Sequence, residues 1–213
     1  MQTAPLPNDI TPRAPTQARG RERFESILEA AEALLLERGL SGFSIPELAL
    51  RLDFSRTSIY HFFPTSYAIL NELSSRYLVR LEDYLGEQVA QVAEHGWEHA
   101  LVLISQAVMD FHNSHPVGRM LILGAPASDE SYRALELTIE HLGRQVDVLM
   151  RRSGVTLPQD RPNACALTVE LGTACLRLSY HLHGEIIPEY RDACANAMHG
   201  FLQPYVEKAL KKA

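Results

Sequence analysis

The sequence predicts an all-α protein, a small three-helix domain joined to a larger helical one. Three observations carry that expectation. Apolar residues recur at spacings of three and four in one segment after another. Turn-forming residues divide those segments at helix-length intervals: Gly39, Pro64, Pro116, "GAPAS", "SGVTLPQD" and "HGEIIP". Nowhere does a sustained apolar–polar alternation mark a strand.

Residues 1–18 hold four of the twelve prolines and little apolar mass, which predicts a disordered tail. From Arg21 to Arg38 the residues Phe24, Ile27, Leu28, Ala31, Leu34 and Leu35 form one helix face, and Gly39 stops it. Ser44, with Glu47 at capping-box spacing, opens a short helix whose inner face is Ile45, Leu48, Ala49 and Leu52. Ser55 caps a third helix to about Phe62, closed by Pro64. Thr65 then caps a long amphipathic run through Ile69, Leu70, Leu73, Tyr77, Leu81 and Leu85. Further helical patterns cover 97–114, 117–123, 128–152, 161–183 and 188–210, with Pro204 placed to kink the last.

Composition narrows the function classes. The chain of 213 residues is 46% hydrophobic and 22% charged, as globular proteins are. It is long enough to bury a core without staples. No apolar run approaches a membrane span, and the first residues lack the charged start and apolar core of a secretory signal. Cys165, Cys175 and Cys194 fit neither a disulfide framework nor a CxxC metal site, so the expected setting is a reducing cytoplasm. The net charge of −6 argues against indiscriminate binding to nucleic acid or anionic membrane. Residues 1–66 carry seven Arg and eight acids, so the acidity belongs mainly to residues 67–213.

The stretch "SRTSIYHFF", residues 55–63, sets small and cationic groups directly against bulky rings. Two short helices across a tight turn, with a third before them, meet the needs of a helix-turn-helix. Ala49 is the small residue where the helices cross, and Leu48, Leu52, Phe54 and Ile59 are the apolar supports. Ser55 to Ser58 open a second helix whose outer face can enter a major groove.

The stretch "FESILEAAEALLLERGLSGFSIPELALRLDFSRTSIYHFFPTSYAIL", residues 24–70, resembles the DNA-binding domain of the TetR family of transcriptional regulators, a match that spans residues 22–70. The likeness lies in the helix lengths and the "S-R-x-x-I-Y-x-x-F" core; the rest of the chain matches in length and helical content. The resemblance implies a tail at 1–18, a helix-turn-helix DNA-binding domain at 19–66, and a ligand-binding and dimerisation domain at 67–213. It assigns Arg56, Thr57 and Ser58 to base edges or nearby phosphates and Tyr60 to a phosphate. It also implies phosphate contacts from Ser44 and from the start of the fourth helix, Thr65 and Ser66. Ser55 and His61 complete the candidate DNA-binding set. Arg56 is the leading candidate for readout, since arginine can bond guanine through two donors. Arg19, Arg21 and Arg23 are placed to reach the backbone or an adjacent minor groove. Three positions depart from the family pattern. The usual turn glycine is Asp53, a residue that tolerates a left-handed conformation. His61 is shifted by one place, and the usual lysine of the fourth helix is Ser66, followed by Tyr67.

No pair of histidines is joined by Cys, Asp or Glu at ligand spacing, so no metal and no cofactor is expected. Absent too are GxSxG, GxxxxGK[ST] and GxGxxG, and no enzyme is expected. Helices 161–183 and 188–210 carry more apolar surface than one subunit covers, and are expected to pair with their copies in a homodimer. A dimer would read a palindromic double-stranded operator. Trp97, Met109, His112, Met120 and Tyr180 are the candidate lining of a pocket for a small-molecule effector. The expected protein is a repressor released by that effector. The competing reading is a helical small-molecule-binding or scaffold protein with weakened DNA binding, which operator binding under salt titration would separate.

Overall fold

The structure is a computed structural model that describes residues 11–92, 96–124, 129–160 and 162–211. Outside it lie residues 1–10 of the expected tail, 125–128 of the "GAPAS" turn, His95, and the first residues of the helices predicted from 128 and 161. Every long element among the described residues is an α-helix: α1 (Ala18–Arg38), α2 (Ile45–Leu52), α3 (Arg56–Phe62), α4 (Ser66–Val92), α5 (Trp97–Ser114), α6 (Pro116–Leu123), α7 (Asp129–Arg152), α8 (Ala164–His183) and α9 (Pro188–Leu210). None is long and apolar enough to cross a membrane. The chain divides into two compact units, Met1–Tyr77 with Ala125–Ala134, and Leu78–Gly124 with Leu135–Ala213.

In the first unit the predicted stops and caps are in place. Gly39 ends α1 at φ +65°. Ser44 caps α2, its Oγ accepting from the Glu47 amide, while the Glu47 carboxylate turns to the Arg38 guanidinium at 2.7 Å. A bond to a cation outcompetes the return half of a capping box. Asp53 ends α2 in the left-handed region at φ 52°, ψ 39°. The core is aromatic. Phe24 of α1 stacks on Phe63 at 4.5 Å and meets Phe62 edge-on at 6.0 Å. Arg76 of α4 bonds both carboxylate oxygens of Glu25 on α1 and also Glu72, which holds the Glu25 carboxyl below its ordinary pKa.

Two expectations shift. The helix begins at Ala18, and within the former tail the Arg13 amide donates to the Phe62 carbonyl at 2.7 Å. The compact unit also runs on past residue 66 to Tyr77, because Ile69, Leu70, Leu73 and Tyr77 are buried and Arg76 is paired to α1.

In the second unit α8 and α9 pack along each other, with α5 against α9 and α6 against α8. Gly172 permits the close approach of α8 to α9: a Cβ there would lie 3.0 Å from the Cys194 Sγ and 3.1 Å from the Met198 Sδ. The turn between them is held from two sides. Asn113 brackets Ile186, donating to its carbonyl and accepting from its amide. The Ser179 hydroxyl donates to the Glu185 carbonyl and accepts from the Ile187 amide. α9 continues as helix through Pro204.

The aromatic packing behind α3 gives a direct prediction. Phe24→Ala should destabilise the first unit by about 3–5 kcal/mol, read as a shifted midpoint in chemical denaturation followed by circular dichroism. A loss under about 1 kcal/mol would contradict a packed cluster.

Candidate functional site

α3 spans only Arg56–Phe62, and its two sides differ sharply. Ile59, Phe62 and the following Phe63 are buried. Arg56, Thr57, Tyr60 and His61 are exposed, and at spacings of one, four and five they share the opposite face. Ser55 caps the helix, its Oγ accepting from the Ser58 amide at 3.2 Å and sharing a hydrogen bond with the Ser58 hydroxyl at 2.9 Å. Thus Ser55 and Ser58 organise the helix start, and Arg56 and Thr57 project from it. Arg38, Arg51 and Arg76 are each held by a carboxylate within 2.7 Å, whereas no ion pair among the described residues holds Arg56. Exposed and uncommitted, it can meet an anionic or hydrogen-bonding partner without first breaking a bond.

The remaining candidates flank this face at helix starts. Ser44 opens α2, and Thr65 opens α4 by accepting the Ala68 amide at 3.3 Å. Ser66 is half-buried and Tyr67 exposed. A hydroxyl that accepts an amide hydrogen keeps its own proton to donate, so the Ser44 cap remains able to bond a phosphate oxygen. Amides at a helix N-terminus favour the same anion. His61 is exposed, its ring edge-on to Phe62 at 4.9 Å. Arg19, Arg21 and Arg23 belong to the first turns of α1, not to a free arm. Arg23 lies over the Phe54 ring at 4.8 Å, while Arg21 reaches back to the Thr16 carbonyl.

The second unit holds a partly open cavity of about 100 Å³. Its wall is aliphatic, with contributions from α4 (Leu81, Leu85), α5 (Ile104), α7 (Leu142) and α8 (Leu176). Of the five candidate pocket residues, His112 lines it and Trp97, Met109, Met120 and Tyr180 do not. Trp97 instead stacks on His199 at 4.9 Å, and Tyr180 lies under the Arg119 guanidinium at 5.9 Å. The aliphatic lining was not legible beforehand, since a leucine on an inner helix face looks the same whether it fills a core or edges a void. His112 is fully buried and its Nδ1 has no hydrogen-bond partner in the protein. Such an orphaned group costs about 1–3 kcal/mol. Burial, reinforced by the positive Arg119 and by His115, drives the His112 pKa down to about 3, so the ring is neutral. Among the described residues no three His, Cys, Asp or Glu side chains gather to hold a metal ion.

Residues 27–73 match the family model of bacterial regulatory proteins, tetR family. No curated protein matches the chain. Solved structures resemble it along most of its length. A putative TetR-family transcriptional regulator from Mesorhizobium loti is 16% identical, covering 89% of this chain and 99% of its own at a TM-score of 0.63. A TetR-family transcriptional regulator from Streptomyces coelicolor is 22% identical over 86% of this chain and 99% of its own, TM-score 0.64. FadR of Thermus thermophilus, a TetR-family repressor solved with lauroyl-CoA, is 20% identical over 86% and 93%, TM-score 0.55. At these identities the shared property is the fold.

The depressed His112 pKa carries a pH signature. In the unfolded chain the ring takes up a proton near its ordinary value of 6.5; in the folded protein it does so only near 3. Stability is therefore full above pH 6.5 and falls as pH drops between those values, by up to about 1.4 kcal/mol per unit for this one group. Between pH 6 and 5 the native protein should lose about 1 kcal/mol more than His112→Leu, measured by urea denaturation. Parallel pH profiles would contradict a buried neutral ring.

Proposed function

We propose, from the match of residues 27–73 to the family model of bacterial regulatory proteins, tetR family, that the protein is a DNA-binding transcriptional repressor of that family, dimeric on a palindromic operator and released by a small-molecule effector. The observation that carries the reading is the exposed face of α3, where Arg56, Thr57, Tyr60 and His61 stand clear of a buried back. In the major groove Arg56 bonds a guanine edge. Ser44, Thr65, Ser66 and Tyr60 take flanking phosphates, which set the register of the helix without reading sequence.

A second copy of the chain is supported by α8. Leu167, Leu171, Leu178 and Leu182 are 38%, 37%, 50% and 60% exposed. Spaced four, eleven and fifteen residues from the first, they fall within about 60° of one another around the helix. A leucine stripe of that kind left in water is unfavourable, and burial against its own copy relieves it. Two-fold pairing would offer two α3 helices to successive turns of one DNA face.

The effector reading is supported by the cavity and by His112, which lines it and whose buried Nδ1 has no partner in the protein. The FadR complex with lauroyl-CoA is an example of a similar fold holding a small molecule. Leu78, Leu81, Leu85 and Val89 of α4 line the cavity, and the same helix opens at the proposed phosphate-binding Thr65. A ligand that prefers one setting of α4 would shift the population away from the DNA-competent form, by no more than its difference in affinity for the two.

The test is binding to the DNA upstream of the protein's own gene. Affinity should fall steeply with added salt, as counterion release demands. Arg56→Ala should weaken operator binding by about 1–3 kcal/mol and random-sequence binding far less; equal losses on both would remove Arg56 from readout. Leu171→Arg combined with Leu178→Arg should yield monomers in size-exclusion chromatography with light scattering. A persistent dimer would place the interface elsewhere.

A further inference from the structure

The cavity in the second unit specifies the chemistry of its occupant, an inference that rests on the effector reading above. Among its lining residues none is Phe, Tyr or Trp, and none is Lys, Arg, Asp or Glu. A charged ligand would find no counterion in the wall, and a planar aromatic one would find no ring but the His112 imidazole. The polar groups offered are few and uncharged. Beside His112 they are Ser105, which donates to the Cys194 Sγ at 3.6 Å, Thr138, Gln145 and Thr173, and among them His112 is the one whose fully buried Nδ1 has no partner in the protein. A nitrogen of this kind bonds a hydroxyl in either tautomer, accepting from it or donating to it.

We propose that the cavity binds an uncharged aliphatic molecule carrying one hydroxyl or carbonyl group, which hydrogen-bonds the Nδ1 of His112. The free space of about 100 Å³ sets the size. An engineered apolar cavity of roughly 150 Å³ holds benzene, so about four non-hydrogen atoms fit here before the walls move, and a longer chain extends toward the open side of the pocket. The apolar tail lies against α4 and α7, at Leu81, Leu85, Ile139 and Leu142, and the polar end faces α5. Arg119 and His115, the charged and titratable groups nearest His112, do not line the cavity and offer an anion no direct contact within it.

Matched probes test this on the full chain by calorimetry and thermal shift at pH 7.5. 1-Pentanol should raise the melting temperature and bind at least about tenfold more tightly than pentanoate or pentylammonium, which present the same tail with a charge. From 1-propanol to 1-pentanol the affinity should rise about fourfold per methylene. His112→Leu should bind 1-pentanol about fivefold or more weakly without a lower melting temperature, since it removes an unpaired nitrogen rather than a structural bond. His112→Asn, whose amide replaces Nδ1, should retain most of the affinity and covers the case of a leucine variant that fails to fold. Tighter binding of either charged probe, undiminished alcohol binding in both variants, or no binding by any probe would overturn the proposal. Operator binding by the same preparation, measured without probes, decides the regulator reading separately.

Discussion

The grip of Phe24 on Phe62 and Phe63 is the contact on which the candidate DNA-binding face depends. α3 has seven residues, and a helix that short does not persist in water by its own hydrogen bonds. Its Ser55 cap removes part of the penalty, and burial of Ile59, Phe62 and Phe63 supplies the rest. This resolves the oddity of "SRTSIYHFF". A face that is to meet another molecule in one geometry cannot also hold itself in place, so the same short segment carries polar groups in front and rings behind. Arg76 strengthens the arrangement from a second direction, tying the early turns of α4 to Glu25 of α1.

Charge is distributed to the same end. With a net charge of −6 the chain has little general attraction for a polyanion. In the first unit Arg38, Arg51 and Arg76 are neutralised locally by Glu47, Glu37 and Glu25. Among the described residues no ion pair holds Arg56, so on the proposed reading its guanidinium is available for discrimination between bases. Ser66, where the resemblance implies a lysine, carries no charge of its own to add to the attraction for a polyanion.

Much of the fold was legible because its signals are local. Ser44, Ser55 and Thr65 cap their helices, Asp53 adopts the left-handed turn a glycine would otherwise supply, and the later helix boundaries fall within a few residues of the periodicity. What escaped depends on distance through space. Nothing near Arg13 in sequence says that its amide will meet the Phe62 carbonyl, or that Arg76 will reach back to α1. Trp97, Met109, Met120 and Tyr180 were natural pocket candidates by chemistry. Large amphipathic side chains, however, find partners of their own, as Trp97 does in His199, and a void forms where branched aliphatic chains fail to fill space. His112 stands apart because a buried imidazole on an apolar face must either be paired or remain available.

The small cavity also constrains how any switch could operate. Ligand binding rarely exceeds about 1.5 kcal/mol per non-hydrogen atom even for the best tiny molecules, so an occupant the size of 1-pentanol, with about six such atoms, has at most about 9 kcal/mol to give. Reversing a two-state population from 1:99 to 99:1 takes about 5.5 kcal/mol of differential affinity. Most of the binding energy must then be absent in the DNA-competent state, which is possible only if the cavity itself is remade between the two states. The walls best suited to this are those of α4, which supplies Leu78, Leu81, Leu85 and Val89. An effector that merely occupied a rigid void would bind both forms alike and release nothing.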